Sequence, residues 1–403
     1  MYKQNKKPLK FNQKGHTHYV IMFIAVALIA AVGVRVLTAS HAATVPIAST
    51  VTTNGECTTT ASLQRVQTIT ATGAVAANYS AAATIANSTS LAKEYVYNLN
   101  GSEIDQIVPP SGWSPLTATA QQLQTYGFPA KPTDATTLAS WNAAMASYKS
   151  SPVGGFCNTN KKYALVSTLR NDAWTGAVAL NNAKNQNLFD EASASWHQAG
   201  LNKVCGIEAS YATWVGLGGD DSSLTGTGGQ DGLIQDGTDV DYNASNSHPA
   251  TLYAWWETLN NTYGNAAIAF WGSYGHIHPG DNIYDWVHYS GGKVSFLVMD
   301  LTDGQNWSAT LSSLRAVPMS ELYNGHTADY ITEAGSDNNG QTDLAEPNSN
   351  TTQFDNSLLA NDSPITSYRT QKAEETSQTG GYANTTNFNG SSNSMTNTWK
   401  KCR

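Results

Sequence analysis

The sequence predicts an all-β fold, a β-sandwich of antiparallel sheets preceded by a small helical segment, and three observations carry that expectation. From Cys157 to Glu333 apolar and polar residues alternate in short runs, with turn signals about every ten residues. Only 13% of the 403 residues are charged, while Gly, Ser, Thr and Asn abound beside 11 Trp and 19 Tyr, a mixture suited to strands and turns rather than long helices. Residues 282–289 and 293–300 flank Ser290-Gly291-Gly292 and should pair as a hairpin, the glycines supplying the positive φ of a tight turn.

The chain opens with Lys3, Lys6, Lys7, Lys10 and Lys14, an apolar run from Val20 to Val34, then Arg35 and the small residues of 39–43. Residues 1–43 therefore read as an export signal. Cleavage near Ala42 or Ala43 yields a secreted protein, and retention as a membrane anchor at the cell surface is the alternative. Removing this segment takes away five lysines, one arginine and no acid, so the formal charge goes from −8 to −14. An acidic surface without a basic stripe repels phosphates, which excludes nucleic acid as an expected partner. Cys57, Cys157, Cys205 and Cys402 form no C-x-x-C pair, and in an exported chain they should form disulfides, with three connectivities open.

Residues 44–106 show no clear period and read as a lead-in or linker. Residues 107–156 read as a helical segment, a possible propeptide. Thr117 or Thr119 suits an N-cap for a short helix ending at Gly127, and Asp134 suits one for a second helix whose Leu138, Trp141, Met145 and Tyr148 recur on one face. That face docks on a neighbouring domain or helix, or else the segment covers an active site until removed. Residues 157–403 form the β-sandwich domain, with strands expected at 163–169, 174–178, 189–196, 211–220, 232–242, 251–259 and 327–333. The tail from Glu374 to Asn397 reads as surface hairpins or loops, with Trp399 to Cys402 as a last strand.

Hydrolase signatures are absent: no G-x-S-x-G elbow, no H-E-x-x-H, no P-loop. His276 and His278 at period-2 spacing suggest two metal ligands but lack a third, and no metal or cofactor is expected. Asp239 to Asn243 begins like a calcium loop, yet Ala244 and Ala250 stand where a Gly and a bidentate Glu are needed. Gln235 is the oddity. It interrupts an apolar strand, sharing a face with Leu233 and Gly237, and is either solvated or a placed hydrogen-bonding group. On the next strand Tyr253, Trp255 and Glu257 share one face.

Seven segments in order, Trp174-Thr-Gly176, the run 189–195, Ala212-Thr-Trp-Val-Gly-Leu-Gly-Gly-Asp220, Leu233-Ile-Gln-Asp-Gly237, Tyr253-Ala-Trp-Trp-Glu257, His278-Pro-Gly-Asp281 and Ala328-Asp-Tyr-Ile-Thr-Glu333, together resemble the glutamic peptidases, or eqolisins, of bacterial type. The resemblance implies two large, bent, concanavalin-like sheets and peptide hydrolysis by Gln235 and Glu333. It also sets Trp214, Glu257, Tyr253 and Trp255 near that pair as supporting or substrate-binding residues. In the best-known fungal members that the chain resembles, an acidic residue stands where this chain has Gly218, and an acidic, aromatic segment where it has Ala334-Gly335. The implied protein is an exported, monomeric, acid-acting endopeptidase whose partners are polypeptide substrates. The rival is a non-catalytic lectin-like sandwich stacking exposed Trp and Tyr on sugar rings.

Overall fold

The computed structural model describes residues 57–400 except 74, 80–90, 160, 162–169, 172–173, 181–187, 204–207, 220–231, 244–250, 261, 265–266, 324, 334–335, 338–339, 342, 345, 348–350, 356–357 and 376–383. The expected export signal, the strand at 163–169, Cys205, Cys402 and Ala334-Gly335 lie outside the described residues. Among the described residues no helix is long and apolar enough to cross a membrane.

In chain order the longer strands begin with β1 (Ser62–Ile69), β2 (Val75–Tyr79), β3 (Ala92–Leu99) and β4 (Ser102–Val108), followed by helices α1 (Ala120–Tyr126) and α2 (Ala135–Ser147). Next come β5 (Phe156–Asn158), β6 (Trp174–Leu180), β7 (Glu191–His197), β8 (Glu208–Gly218), β9 (Leu233–Asn243), β10 (Thr251–Leu259) and β11 (Ile268–Phe270). The rest are β12 (Asn282–Ser290), β13 (Lys293–Asp300), β14 (Asn306–Leu311), β15 (Thr327–Glu333), β16 (Thr351–Phe354), β17 (Arg369–Glu375), β18 (Asn384–Asn389) and β19 (Ser394–Trp399). The Asn- and Thr-rich tail forms the hairpin of β18 and β19, the first of the two forms the sequence suggests, and Trp399 ends the second of these strands.

Two large sheets result. The first runs β5-β11-β10-β9-β8-β15-β6-β17 and the second β18-β19-β16-β7-β12-β13-β14-β4-β3-β1-β2, and each of these neighbours pairs antiparallel. The hairpin of β12 and β13 closes on Gly291 and Gly292 at φ 58° and 77°, the conformation the sequence required there. Alternation along each strand divides the apolar residues. Val215, Leu217, Ile234, Val240, Trp256 and Tyr330 of the first sheet pack with Trp196, Ile283, Val287, Phe296 and Val298 of the second as the main core.

Residues 59–108 correct the linker expectation. They supply β1 to β4, which extend the second sheet beyond β14 and bury Leu63, Val66, Tyr97, Leu99 and Ile104 in the main core. Frequent polar residues hid the period, because Gln67, Thr68 and Gln106 are themselves buried. A disulfide joins Cys57 to Cys157, so this lead-in is covalently tied to β5.

Both helices form where their caps predict. Thr119 caps α1 with a reciprocal bond to Gln122, Gly127 ends it at φ 75°, and the Asp134 carboxylate accepts the N–H of Thr137 at the start of α2. Trp141 and Met145 pack with Tyr284, Trp286, Leu297 and Met299 on the outer face of the second sheet. Each such burial contributes about 2 kcal/mol. The helices therefore dock on their own domain, on the side away from Gln235.

Candidate active site

The site grows from the register of four strands in the first sheet. On β9, Leu233, Gln235, Gly237 and Asp239 face away from the main core. Gln235 sits opposite Glu257 of β10 on one side and Gly216 of β8 on the other, and Gly216 sits opposite Asp329 of β15. Four residues along β8, Ala212 sits between Asp239 and Glu333, with Tyr253 beyond Asp239 and Trp174 beyond Glu333. Between these two polar rows lies a third, Trp255, Gly237, Trp214 and Ile331. Period-2 alternation alone brings these chemically distinct groups to one face.

Glycines make room for the largest of them. A side chain on Gly237 would meet the Thr213 carbonyl oxygen at 2.2 Å and Trp214 Cβ at 2.7 Å, so Trp214 lies down only beside a glycine. At Gly216 an added Cβ would lie 2.9 Å from Trp214 Cζ3 and 3.2 Å from Gln235 Cβ. The indole therefore lies lengthwise along β8, its six-membered ring over Gly216 beside Gln235. At its other end Nε1 donates to Glu333 Oε2 at 3.1 Å. Trp174 holds the indole edge-on, with centroids 5.0 Å apart.

Six residues singled out from the sequence, Gln235, Glu333, Trp214, Glu257, Tyr253 and Trp255, thus share one face, and none is more than 1% exposed. The solvated reading of Gln235 is thereby corrected. The structure joins them in two pairs: Gln235 Nε2 donates to Glu257 Oε2 at 2.8 Å, and Trp214 to Glu333. Gln235 and Glu333 themselves stand at opposite ends of the Trp214 indole on strands separated by β8. One amide N–H of Gln235 is committed to Glu257, while its Oε1 is buried without a hydrogen-bond partner. A buried acceptor left so costs about 1–3 kcal/mol, which marks the position as kept for something other than stability.

Two residues were missed. Asp239 accepts the Tyr253 hydroxyl at 2.9 Å, and Asp329 accepts from Thr327 Oγ1 at 3.2 Å, both fully buried on the same face. Their period-2 spacing from Gln235 and Glu333 was the available signal. Asp239 to Asn243 belongs to β9, so the calcium-loop resemblance was a strand's alternation. Gly218 and Gly219 adopt φ 90° and 95°, which disfavours a side chain at either position. His276 and His278 lie in an exposed turn around the buried Ile277, where His276 Nδ1 meets Gln305 Nε2 and His278 Nδ1 meets Asp281. Among the described residues no group of three or more His, Cys, Asp or Glu is arranged to hold a metal.

The lectin alternative needs exposed aromatics. None of the 11 tryptophans is exposed, and Tyr263 is the one exposed large aromatic among the described residues.

The family model for the peptidase A4 family matches residues 172–399. The chain belongs to the peptidase A4 family. That match spans β6 to β19 and includes both rows of the site, so the protein is, by family, a glutamic peptidase and acts on polypeptides. No curated protein matches the chain significantly. Among solved structures it is similar to SCP-B, an eqolisin-family peptidase in complex with the tripeptide Ala-Ile-His. The identity is 16% over 57% of this chain and 98% of that one, with a TM-score of 0.38. It is also similar to the enzymatically active domain of bacteriophage CBA120 tailspike protein 2, at 10% identity over 55% of this chain and 30% of that one, with a TM-score of 0.25.

Proposed function

We propose that this A4 peptidase is an exported endopeptidase that hydrolyses peptide bonds at acid pH through Gln235 and Glu333. The observation that carries this reading is the Trp214 indole, whose N–H holds Glu333 while its ring lies beside Gln235. In the reaction, ionised Glu333 takes a proton from a water as that water attacks the scissile carbonyl, and returns it to the leaving amine. Glu257 holds the Gln235 amide by one N–H, which leaves the second N–H to stabilise the oxyanion and Oε1 to orient the water. A carboxylate with a reference pKa of about 4.3 still acts as a base in acid, where imidazole is fully protonated.

All these groups are buried in the structure, so binding of a polypeptide requires the face to become accessible. The part of the 44–156 segment from Cys57 to Gly155 stays with the mature domain, since it supplies strands of the second sheet and is tied to β5 by the disulfide. The protein acts as a monomer without metal or organic cofactor. The disulfide accords with an oxidising compartment, and hence with export.

The test is digestion of a denatured protein at acid pH, with a pepsin-type inhibitor present, by the wild type, Glu333→Ala and Gln235→Ala. Glu333→Ala is expected to give no cleavage and Gln235→Ala a residual rate about 10²–10³-fold below the wild type, the effect of losing one oxyanion donor. Equal cleavage by all three would refute the assignment.

A further inference from the structure

Behind the site, β9 sends polar side chains into the apolar core. Asp236 directly follows Gln235 and points the other way, in line with Ile234 and Thr238, and it is fully buried. Its Oδ2 accepts the backbone N–H of Leu297, on the second sheet, at 3.0 Å. Its carboxyl also hydrogen-bonds that of Asp285, which β12 holds between Ile283 and Val287 and which is equally buried. Neither oxygen of Asp285 is reached by a backbone or side-chain N–H or O–H donor, so a proton held between the two carboxyls is what satisfies them, and Val215, the residue between Trp214 and Gly216 on β8, is a neighbour on the facing sheet. Two residues further along β9, Thr238 Oγ1 donates to Gln198 Oε1 at 2.6 Å. Side-chain hydrogen bonds thus cross the sandwich directly beneath Gln235 and Trp214, where packing alone would call for apolar residues.

Two carboxyls at hydrogen-bonding range in such surroundings do not both ionise. Burial pushes Asp285 up to about 8 and Asp236 well above the usual carboxylate range, so the pair keeps a proton throughout acid conditions. Among the described residues no lysine, arginine or histidine acts on either carboxyl. A buried polar pair of this kind adds little net stability over well-packed apolar residues of similar size, but it specifies one arrangement of the elements it joins. Strand β9 needs such a constraint, because a small rotation or slip of it misdirects Gln235.

We propose that Asp236 and Asp285 form a proton-sharing clamp between the sheets that positions Gln235 and Trp214 for catalysis, a role that rests on the reading of Gln235 as catalytic. Both aspartates are positioning residues and touch no substrate. Thr238 with Gln198 is a second tether of the same strand.

The experiment uses the whole mature enzyme and compares the wild type, Asp236→Val/Asp285→Val, Asp236→Asn, Gln235→Ala, and the Val pair combined with Gln235→Ala. kcat, KM and thermal unfolding are measured at one acid pH. The Val pair replaces the carboxyls with apolar groups of nearly their volume, so its Tm is expected to equal or exceed that of the wild type. Its kcat is expected to fall tenfold or more with KM within twofold. Asp236→Asn can still accept from Leu297 and donate to Asp285, and is expected to keep most of the wild-type kcat. In the Gln235→Ala background the Val pair is expected to cost less than twofold, because the group it positions is gone. Wild-type kcat in the Val pair, or an equal loss in both backgrounds, would overturn the clamp. Wild-type activity in Gln235→Ala alone would overturn the catalytic reading, and the clamp with it. If the Val pair does not fold, the same cycle run with Asp236→Asn decides the matter by whether its loss, however small, vanishes with Gln235.

Discussion

Replacing Glu191 by glutamine should reverse its effect on stability between pH 4 and pH 7. Glu191 opens β7 beneath α2, where its Oε2 accepts the Trp286 indole N–H at 3.3 Å and its Oε1 the backbone N–H of Asp362 at 3.0 Å. Burial first, and the nearby Asp362 carboxylate second, push Glu191 up to about 8 from 4.5. A carboxyl whose folded pKa is raised stabilises the fold fully below its unfolded value and loses that contribution as pH climbs towards the folded one. At pH 7 the loss integrates over about 2.5 pH units at about 1.4 kcal/mol each, or about 3 kcal/mol. Glutamine has no proton to lose, but its NH2 cannot accept from Trp286, which costs about 1 kcal/mol at any pH. The variant should therefore be about 1 kcal/mol less stable than the wild type at pH 4 and about 2 kcal/mol more stable at pH 7. Denaturant unfolding at the two pH values measures both numbers. A variant destabilised equally at both would refute the linkage, and with it the buried protonated state of Glu191.

Other perturbations address the site and the frame around it. Trp214→Phe keeps the packing against Trp174 but removes the donor to Glu333, and kcat should fall about 10- to 100-fold with little change in Tm, the effect of losing one hydrogen bond to a charged group. Gly237→Ala forces a Cβ to within 2.2 Å of the Thr213 carbonyl oxygen, so it should lower the yield of folded protein or destabilise by 3 kcal/mol or more, on the order of the largest single-residue effects. Cys157→Ser opens a link between residues 100 apart in sequence and should cost up to about 4 kcal/mol in thermal or chemical unfolding. It should also expose the 59–108 strands to protease ahead of the rest of the chain.

Much of the site was legible because strand alternation is a local property. Gln235, Gly237 and Asp239 had to share a face once 233–243 was a strand, and the same holds for Tyr253, Trp255 and Glu257. The helices α1 and α2 were readable for a similar reason, since Thr119, Gly127 and Asp134 act on backbone groups within a few residues of themselves. Residues 59–108 were not readable as strands, because their periodicity is blurred by buried Gln and Thr that are tolerated only once neighbouring strands surround them.

The sequence by itself determined the fold class, the order of the family segments and the identity of the groups on the site face, because composition and period-2 spacing act over short stretches of chain. It could not say that Glu257 holds Gln235, that Trp214 holds Glu333, or that Asp236 and Asp285 meet across the sandwich. Those contacts join residues 22 and 119 positions apart for the first two, and they depend on which strands lie side by side and which sheet faces which. Register and sheet packing are set by the burial of the whole core at once, so only the tertiary structure decided which amide, carboxylates and indole meet.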